Sequence, residues 1–222
     1  MTELFPNGAV MVFGGTGGIG QVVALEFARA GCDVALMYRS KAELAASLVG
    51  EMQALGLMAS CHACDVTDTA ALGAAIEEAT AKHGRIHTMV WGAGPLVEQV
   101  NIAEASQTQW MQAINVEVHG FFSATKALIP HMRSAGGGSF VHLGSAGDAR
   151  FPPKDFLSVV PKAANESLIK GIAREEGVNL IRANSVLIGV IEAGMFLELS
   201  KQGVFDDAWV NEVQKGLAIK RW

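Results

Sequence analysis

AVMVFGGTGGIGQVVALEFARAG, residues 9–31, decides the fold. A short apolar run feeds straight into a glycine-rich turn, and residues of helical period follow at once. In that context the glycines have a mechanism: they permit a tight turn, let backbone approach a pyrophosphate, and let the helix pack on the strand. The helix start then presents N–H groups without intrahelical partners to an anion. Two spacings fit the stretch, one through Gly15, Gly17 and Gly20, the other through Gly14, Gly18 and Gly20, with Thr16 and Ile19 between the glycines. A glycine turn without a ligand is the alternative, and the strand before it and the helix after it argue for a bound dinucleotide.

The same alternation continues outward. Residues 9–15, 32–38, 58–66, 86–92, 139–145 and 180–189 read as strands, with longer segments of helical period between them. Ser40 with Glu43 and Ser106 with Gln109 have capping-box spacing, and Asp68 can cap the segment after it. Strand and helix in strict alternation predict one α/β domain over residues 1–222. It is a doubly wound parallel sheet of the Rossmann type, with helices on both faces in three layers and right-handed crossovers. No repeat, low-complexity tract or linker marks a boundary.

Composition narrows the function. The chain has 222 residues, enough for one large domain with a substantial core. Half of the residues are hydrophobic, yet no apolar run approaches the ~18 residues of a membrane span. A formal net charge of −5 with mixed signs gives no reason to expect nucleic acid or an anionic membrane as a partner. The opening MTELFPNG resembles no targeting peptide, and three cysteines make no disulfide framework, so a cytoplasmic protein is expected. Cys61 and Cys64 in CHAC sit three apart on an expected strand, where they point to opposite faces, so no metal site is expected there.

The stretch through Gly14, Gly18 and Gly20 has the spacing of the short-chain dehydrogenase/reductase family, and the chain resembles that family from about residue 8 onward. The resemblance includes Asp65 in CDVTD, the turn Gly92-Ala93-Gly94 after the fourth strand, Asn115 in a long helix and Ser145 after the fifth strand. It is completed by Lys162 in the next helix and Gly189 after the sixth strand. It implies a nicotinamide cofactor, with Asp65 and Val66 at the adenine and Gly92, Ala93 and Gly94 beside the ribose. The second strand ends Arg39-Ser40-Lys41, two cations and a hydroxyl where an NAD site carries an acid, so NADP(H) is expected over NAD(H). Ser40 acting only as a cap is the alternative.

The catalytic end departs from the pattern. In the family a serine polarises the carbonyl, a tyrosine transfers the proton, a lysine binds the nicotinamide ribose and acidifies the tyrosine, and an asparagine supports a relay water. Asn115, Ser145 and Lys162 match, but the tyrosine position, four before Lys162, is Ser158. A serine is too short and far too weakly acidic to replace a phenol. Two readings of Ser158 stand: it caps the helix, with Pro161 tolerated in the first turn, or it holds a water that relays a proton. His142, Asp148 and Asp155 are substitute acids that nothing in the sequence aims at the hydride site. Trp91-Gly92 stands where the family has two asparagines, Ile188-Gly189 where it has Pro-Gly, and Ala193 where it often has threonine. Ile191 backbone is left as the carboxamide anchor.

Residues 195–210 are expected to form a helical flap over an apolar small-molecule substrate through Met195, Phe196, Leu199 and Phe205, unless these pack among themselves. The chain stops at GLAIKRW, residues 216–222, where the family continues through a helix and a last strand; a shortened chain or a disordered tail is the reading taken. The resemblance also implies a homo-oligomer, dimer or tetramer, built on the long helices around Asn115 and Lys162. Three functions are compatible with these residues: an NADP(H)-dependent oxidoreductase acting on a carbonyl or alcohol without the usual phenol, a cofactor-binding pseudoenzyme or silent partner of an active relative, and, third, a site turned to non-redox chemistry.

Overall fold

The computed structural model describes residues 5–222. Six parallel strands form one sheet in the order β3-β2-β1-β4-β5-β6, so the chain starts in the middle and winds outward twice. The strands are β1 Ala9–Phe13, β2 Asp33–Tyr38, β3 Ala59–Ala63, β4 Ile86–Trp91, β5 Gly138–Ser145 and β6 Ile181–Ile188, most of them shorter than the sequence pattern suggested. The helices are α1 Gly20–Arg29, α2 Ala42–Ala54, α3 Thr69–His83, α4 Gln107–Ile114, α5 Gly120–Ser134, α6 Phe156–Glu176, α7 Gly194–Lys201 and α8 Asp207–Lys215. Between α4 and α5 the helix passes without a break through a π turn, Asn115–His119.

Alternation along the strands separates the two cores. Val10 and Val12 of β1 join Val34 and Leu36 of β2 in packing on α1 and α2 through Ala24, Ala28, Ala45 and Leu48. Their neighbours Ala9, Met11 and Phe13 face the other way, onto Leu72, Ile76, Phe121, Leu128 and Ile169 from α3, α5 and α6. Cys61 packs with the first core and Cys64 with the second, so the two thiols lie on opposite faces of the sheet, as their spacing predicts.

Local signals succeeded where nothing competed with them. Ser106 and Gln109 form a reciprocal capping box on α4, and Asp68 caps α3 by accepting from the N–H groups of Ala70 and Ala71. The box expected from Ser40 and Glu43 does not form: α2 starts only at Ala42, after Lys41 in a left-handed conformation, and no side chain caps it. The Ser40 carbonyl instead accepts from the Thr16 hydroxyl at 3.2 Å, tying this turn to the glycine loop. Ser158 does not cap α6 either. That helix begins at Phe156, the Ser158 N–H bonds the Asp155 carbonyl at 3.0 Å, and Pro161 lies beyond the first turn.

Candidate active site

At the carboxyl ends of β1, β2, β3 and β4 the chain opens into a groove, the place where a doubly wound sheet binds its ligand. Gly14, Thr16 and Gly17 line one side, Met37 to Lys41 and Cys64 to Val66 another, and Gly92 to Gly94 with Val116 the third. Gly14 turns with φ +70°, and a Cβ there would stand 2.4 Å from the Gly92 carbonyl oxygen. Only glycine lets β1 and β4 release their chains so close together. The first helical bond of α1 runs from Gln21 N–H to the Gly17 carbonyl at 3.0 Å, which leaves the N–H groups of Gly18, Ile19 and Gly20 ahead of the helix ladder. This cradle fits a pyrophosphate. At the groove's far end Arg39, Ser40 and Lys41 are exposed. Asp65 accepts from Thr67 N–H at 2.9 Å and from its hydroxyl at 2.7 Å, and these bonds, with the charge of Arg39, hold its carboxyl below the usual range.

The structure places several expected residues outside the groove lining. Gly18 keeps its N–H in the cradle and also lets α7 pack on the loop, since a Cβ there would lie 2.5 Å from the Gly194 nitrogen. Gly20 packs on the Gly14 turn. Gly189 is exposed with open space around it, and the Ile191 carbonyl is taken by Ala193 N–H at 2.7 Å. Phe196 and Phe205 of the expected flap stack on each other at 5.6 Å between centroids and on Trp209, so they serve the packing of that segment. Leu199 is buried, and Met195 packs beside Val97 and Phe156.

The polar end of the site lies between the π turn and the start of α6. Lys162 is half-buried, and its ammonium is paired with the carboxylate of Glu117, a residue to which no sequence motif pointed. The Glu117 side chain is 3% exposed and that of Lys162 17%. At the π turn the Glu117 carbonyl accepts from the Gly120 N–H, and Asn165, fully buried on α6, also donates to it at 3.0 Å. Asn115, two residues earlier, is half-buried, and its carbonyl receives the Gly120 N–H across the turn. Its side chain makes no hydrogen bond among the described residues.

Ser145 Oγ accepts from Gly147 N–H at 3.0 Å, and Ser158 is half-buried one helical turn before Lys162. Asp155 receives Gln99 Nε2 at 3.0 Å; burial pushes its carboxyl up, against the pull of that bond and of Lys162. His142 is fully buried beside Ser185, and burial, with the charge of Lys162, pushes it down to about 4. Asp148 is exposed. Trp91 is fully buried between Phe13 and Phe121, at 5.0 and 5.5 Å, so it fills core where the family pattern has a bracing amide.

Glu117 did leave a signal. Glu117 falls at helical spacing from Phe121, Ala124 and Leu128 of α5, and all four are buried, whereas Ala113, before the π turn, packs separately with Val97, Phe156 and Leu157. A carboxylate on an otherwise apolar stripe calls for a partner.

Known proteins match this arrangement along nearly its whole length. The family model described as Enoyl-(Acyl carrier protein) reductase matches residues 14–220. An "Oxidoreductase UcpA" of Salmonella typhimurium is 28% identical over 214 residues, covering 95% of this chain and 80% of the relative. A "3-oxoacyl-[acyl-carrier-protein] reductase FabG" of Thermotoga maritima is 29% identical over 192 residues, 86% of this chain and 77% of that protein. Among solved structures, a short-chain type dehydrogenase/reductase from Mycobacterium ulcerans superposes with a TM-score of 0.89 at 26% identity, over 98% of this chain and 78% of that one. A short chain dehydrogenase from Burkholderia cenocepacia, solved in complex with NADP, gives 0.84 at 26% identity over 97% and 84%. The chain belongs to the short-chain dehydrogenase/reductase family, whose members are nicotinamide-dependent oxidoreductases.

Proposed function

We propose that this chain is an NADP(H)-dependent oxidoreductase that moves hydride between the nicotinamide and a carbonyl or alcohol, in a site without the usual phenol. The observation that carries the reading is the groove itself, whose lining joins the glycine loop to Arg39, Ser40 and Lys41 and includes no carboxylate at the end of β2. Guanidinium and ammonium groups there suit a 2′-phosphate, whereas a carboxylate would repel one. The NADP in the Burkholderia cenocepacia structure supports the same choice.

The nicotinamide would supply the hydride. The chain's part is to bind, orient and handle the proton. Gly14, Thr16, Gly18, Ile19 and Gly20 form the phosphate turn, Asp65 and Val66 flank the adenine, and Gly92, Ala93 and Gly94 pass the ribose. Gly189 and Ile191 follow β6 toward the carboxamide. Ser145 polarises the substrate oxygen. Lys162, held by Glu117, offers its remaining donors to the ribose hydroxyls, and Ser158 seats a water in place of a phenol, with Asn115 in the relay. The substrate is a small molecule, the chain is cytoplasmic, and it works as a homo-oligomer through its long helices.

A second reading, a cofactor-binding pseudoenzyme, is favoured by two observations: the lysine is already paired with Glu117, and the only tyrosine is Tyr38, at the end of β2. One experiment separates the two. NADPH and NADH binding is measured for the natural chain and for Arg39→Asp, and NADPH consumption is followed against ketones and diketones. The oxidoreductase reading predicts NADPH bound at least about tenfold tighter than NADH, a preference lost in Arg39→Asp, and turnover of some ketone. Binding without any consumption across the panel turns the reading to the pseudoenzyme, and no binding of either nucleotide refutes both.

A further inference from the structure

Lys162 meets its partner across two helices. Glu117 projects from the π turn and Lys162 from the second turn of α6, and their contact is almost closed to water. The surroundings are shaped to hold it. A Cβ on Gly94 would stand 2.5 Å from Glu117 Oε1, so the fourth strand's loop leaves room for that oxygen and for nothing more. Asn165 fixes the Glu117 backbone from α6 itself, the helix that carries Lys162, so the two ends of the pair are set by one rigid body. A lysine standing alone on the wall of a groove would need none of this.

Position 158 lies one turn before Lys162 on the same face, within reach of the ammonium's field. Beside a free ammonium, a hydroxyl there would be strongly acidified; beside a closed ion pair it feels only a dipole. The neighbouring acids and the histidine do not restore the lost charge. Asp155 is pushed toward its neutral form by burial, His142 toward its neutral form by burial and by Lys162, and Glu166, one turn beyond Lys162, is pushed toward neutrality by burial and by Asp148.

We propose that Glu117 is a positioning residue of this site: it fixes the Lys162 ammonium and cancels its charge, so that whatever stands at position 158 works beside a neutral pair instead of a free cation. Ser158 and Glu117 are then one joint departure, since a site with no phenol has no use for an unshielded ammonium next to it. A phenol restored at 158 would remain an ordinary, weakly acidic one as long as Glu117 is present. The inference rests on the proposed reading only in taking Lys162 to face the cofactor.

The test needs neither cofactor nor turnover, so its failure and the failure of the oxidoreductase reading are told apart. Tyr38 is the only native tyrosine, so the absorbance titration of Ser158→Tyr minus that of the natural chain reports the new phenol alone. With Glu117 in place the phenol is expected near its ordinary ~10; with Glu117→Gln added its midpoint is expected to fall by about one unit or more, and with Glu117→Asp to stay high. Equal midpoints for the Glu and Gln forms would overturn the proposal. Should the phenol not be accommodated, Ser158→Cys carries the same comparison through alkylation rate against pH. Cys32 and Cys64 are pushed up to about 11 by burial and Cys61 is raised too, so a thiol at 158 stands out as the first to react. That thiol is expected to react at lower pH in the Gln form, and no difference overturns the proposal by the second route.

Discussion

Breaking the Glu117–Lys162 pair from either side should cost unequal amounts, and the inequality follows from burial. Lys162→Met strands a carboxylate that is only 3% exposed, whereas Glu117→Gln strands an ammonium that keeps 17% and can turn toward water. Removing one partner of a buried pair costs about 3–5 kcal/mol, because the other is left as an uncompensated charge. The first variant should therefore lose about 4 kcal/mol and the second, relieved by water, about 2 kcal/mol. For a chain of this size each kcal/mol moves the melting temperature by about 2–4 °C, so the falls should be roughly 8–16 °C and 4–8 °C. The double variant carries no stranded charge and should cost less than Lys162→Met alone. Urea unfolding followed by tryptophan fluorescence supplies the free energies and thermal melts the temperatures. Additive losses would show that the two charges do not depend on each other, a larger loss for Glu117→Gln than for Lys162→Met would refute the burial argument, and either result would overturn this account of the pair.

Two more perturbations test the frame around the pair. His142 is fully buried and held down to about 4, below its value near 6.5 in the unfolded chain, so unfolding takes up a proton between those pH values; its contribution is complete above 6.5 and lost as pH falls toward 4, about 3 kcal/mol in all. His142→Asn should flatten that part of the stability profile between about pH 7 and 4.5, and an unchanged slope would contradict the burial argument. Gly14→Ala and Gly31→Ala both place alanine at positive φ, +70° and +85°, but the first meets the Gly92 carbonyl at 2.4 Å and the second meets nothing within 4 Å. Gly31→Ala should cost about 1 kcal/mol of strain and Gly14→Ala several times that, with loss of nicotinamide-nucleotide binding; similar denaturation midpoints for the two would refute the close approach of β1 and β4.

The frame was legible because it rests on local patterns. Strand period, the glycine turn and the caps at Asp68 and Ser106 depend on neighbours within a few residues, and each was found where the pattern put it. Local patterns failed where a distant group captured a nearby one. Ser40 does not cap α2 because the helix starts a residue late, after Lys41 in the left-handed conformation, while the Ser40 carbonyl is tied to Thr16, and a proline rule written for the first turn misplaced the start of α6 by ignoring Asp155, whose carbonyl takes the N–H groups of Ser158 and Val159. The aromatic residues of 195–210 looked like a lining for substrate, but an apolar side chain carries no mark of whether a ligand or another ring will cover it.

Glu117 was missed for a different reason, and it bears on how the site works. A helix of constant period assigns each residue a face, but the π turn at Asn115–His119 inserts an extra residue and rotates α5 by about 100° relative to α4. Within that turn the period cannot say whether Asn115 or Glu117 faces α6, and only the packed structure shows Glu117 there. The partner lies 45 residues away, so no local pattern could supply it. The departures that seemed to be separate losses in the sequence fit one another in space. Gly94 leaves room for the Glu117 carboxylate, and Gly120, where a Cβ would come within 3.1 Å of the indole, leaves room for Trp91. Random decay of a site removes a group and leaves its neighbours stranded, with an unpaired lysine or a cavity as the trace. Here the Lys162 charge is paired and the indole fills its space between Phe13 and Phe121, although the buried indole N–H has no partner, so it is the ion pair alone that is fully satisfied.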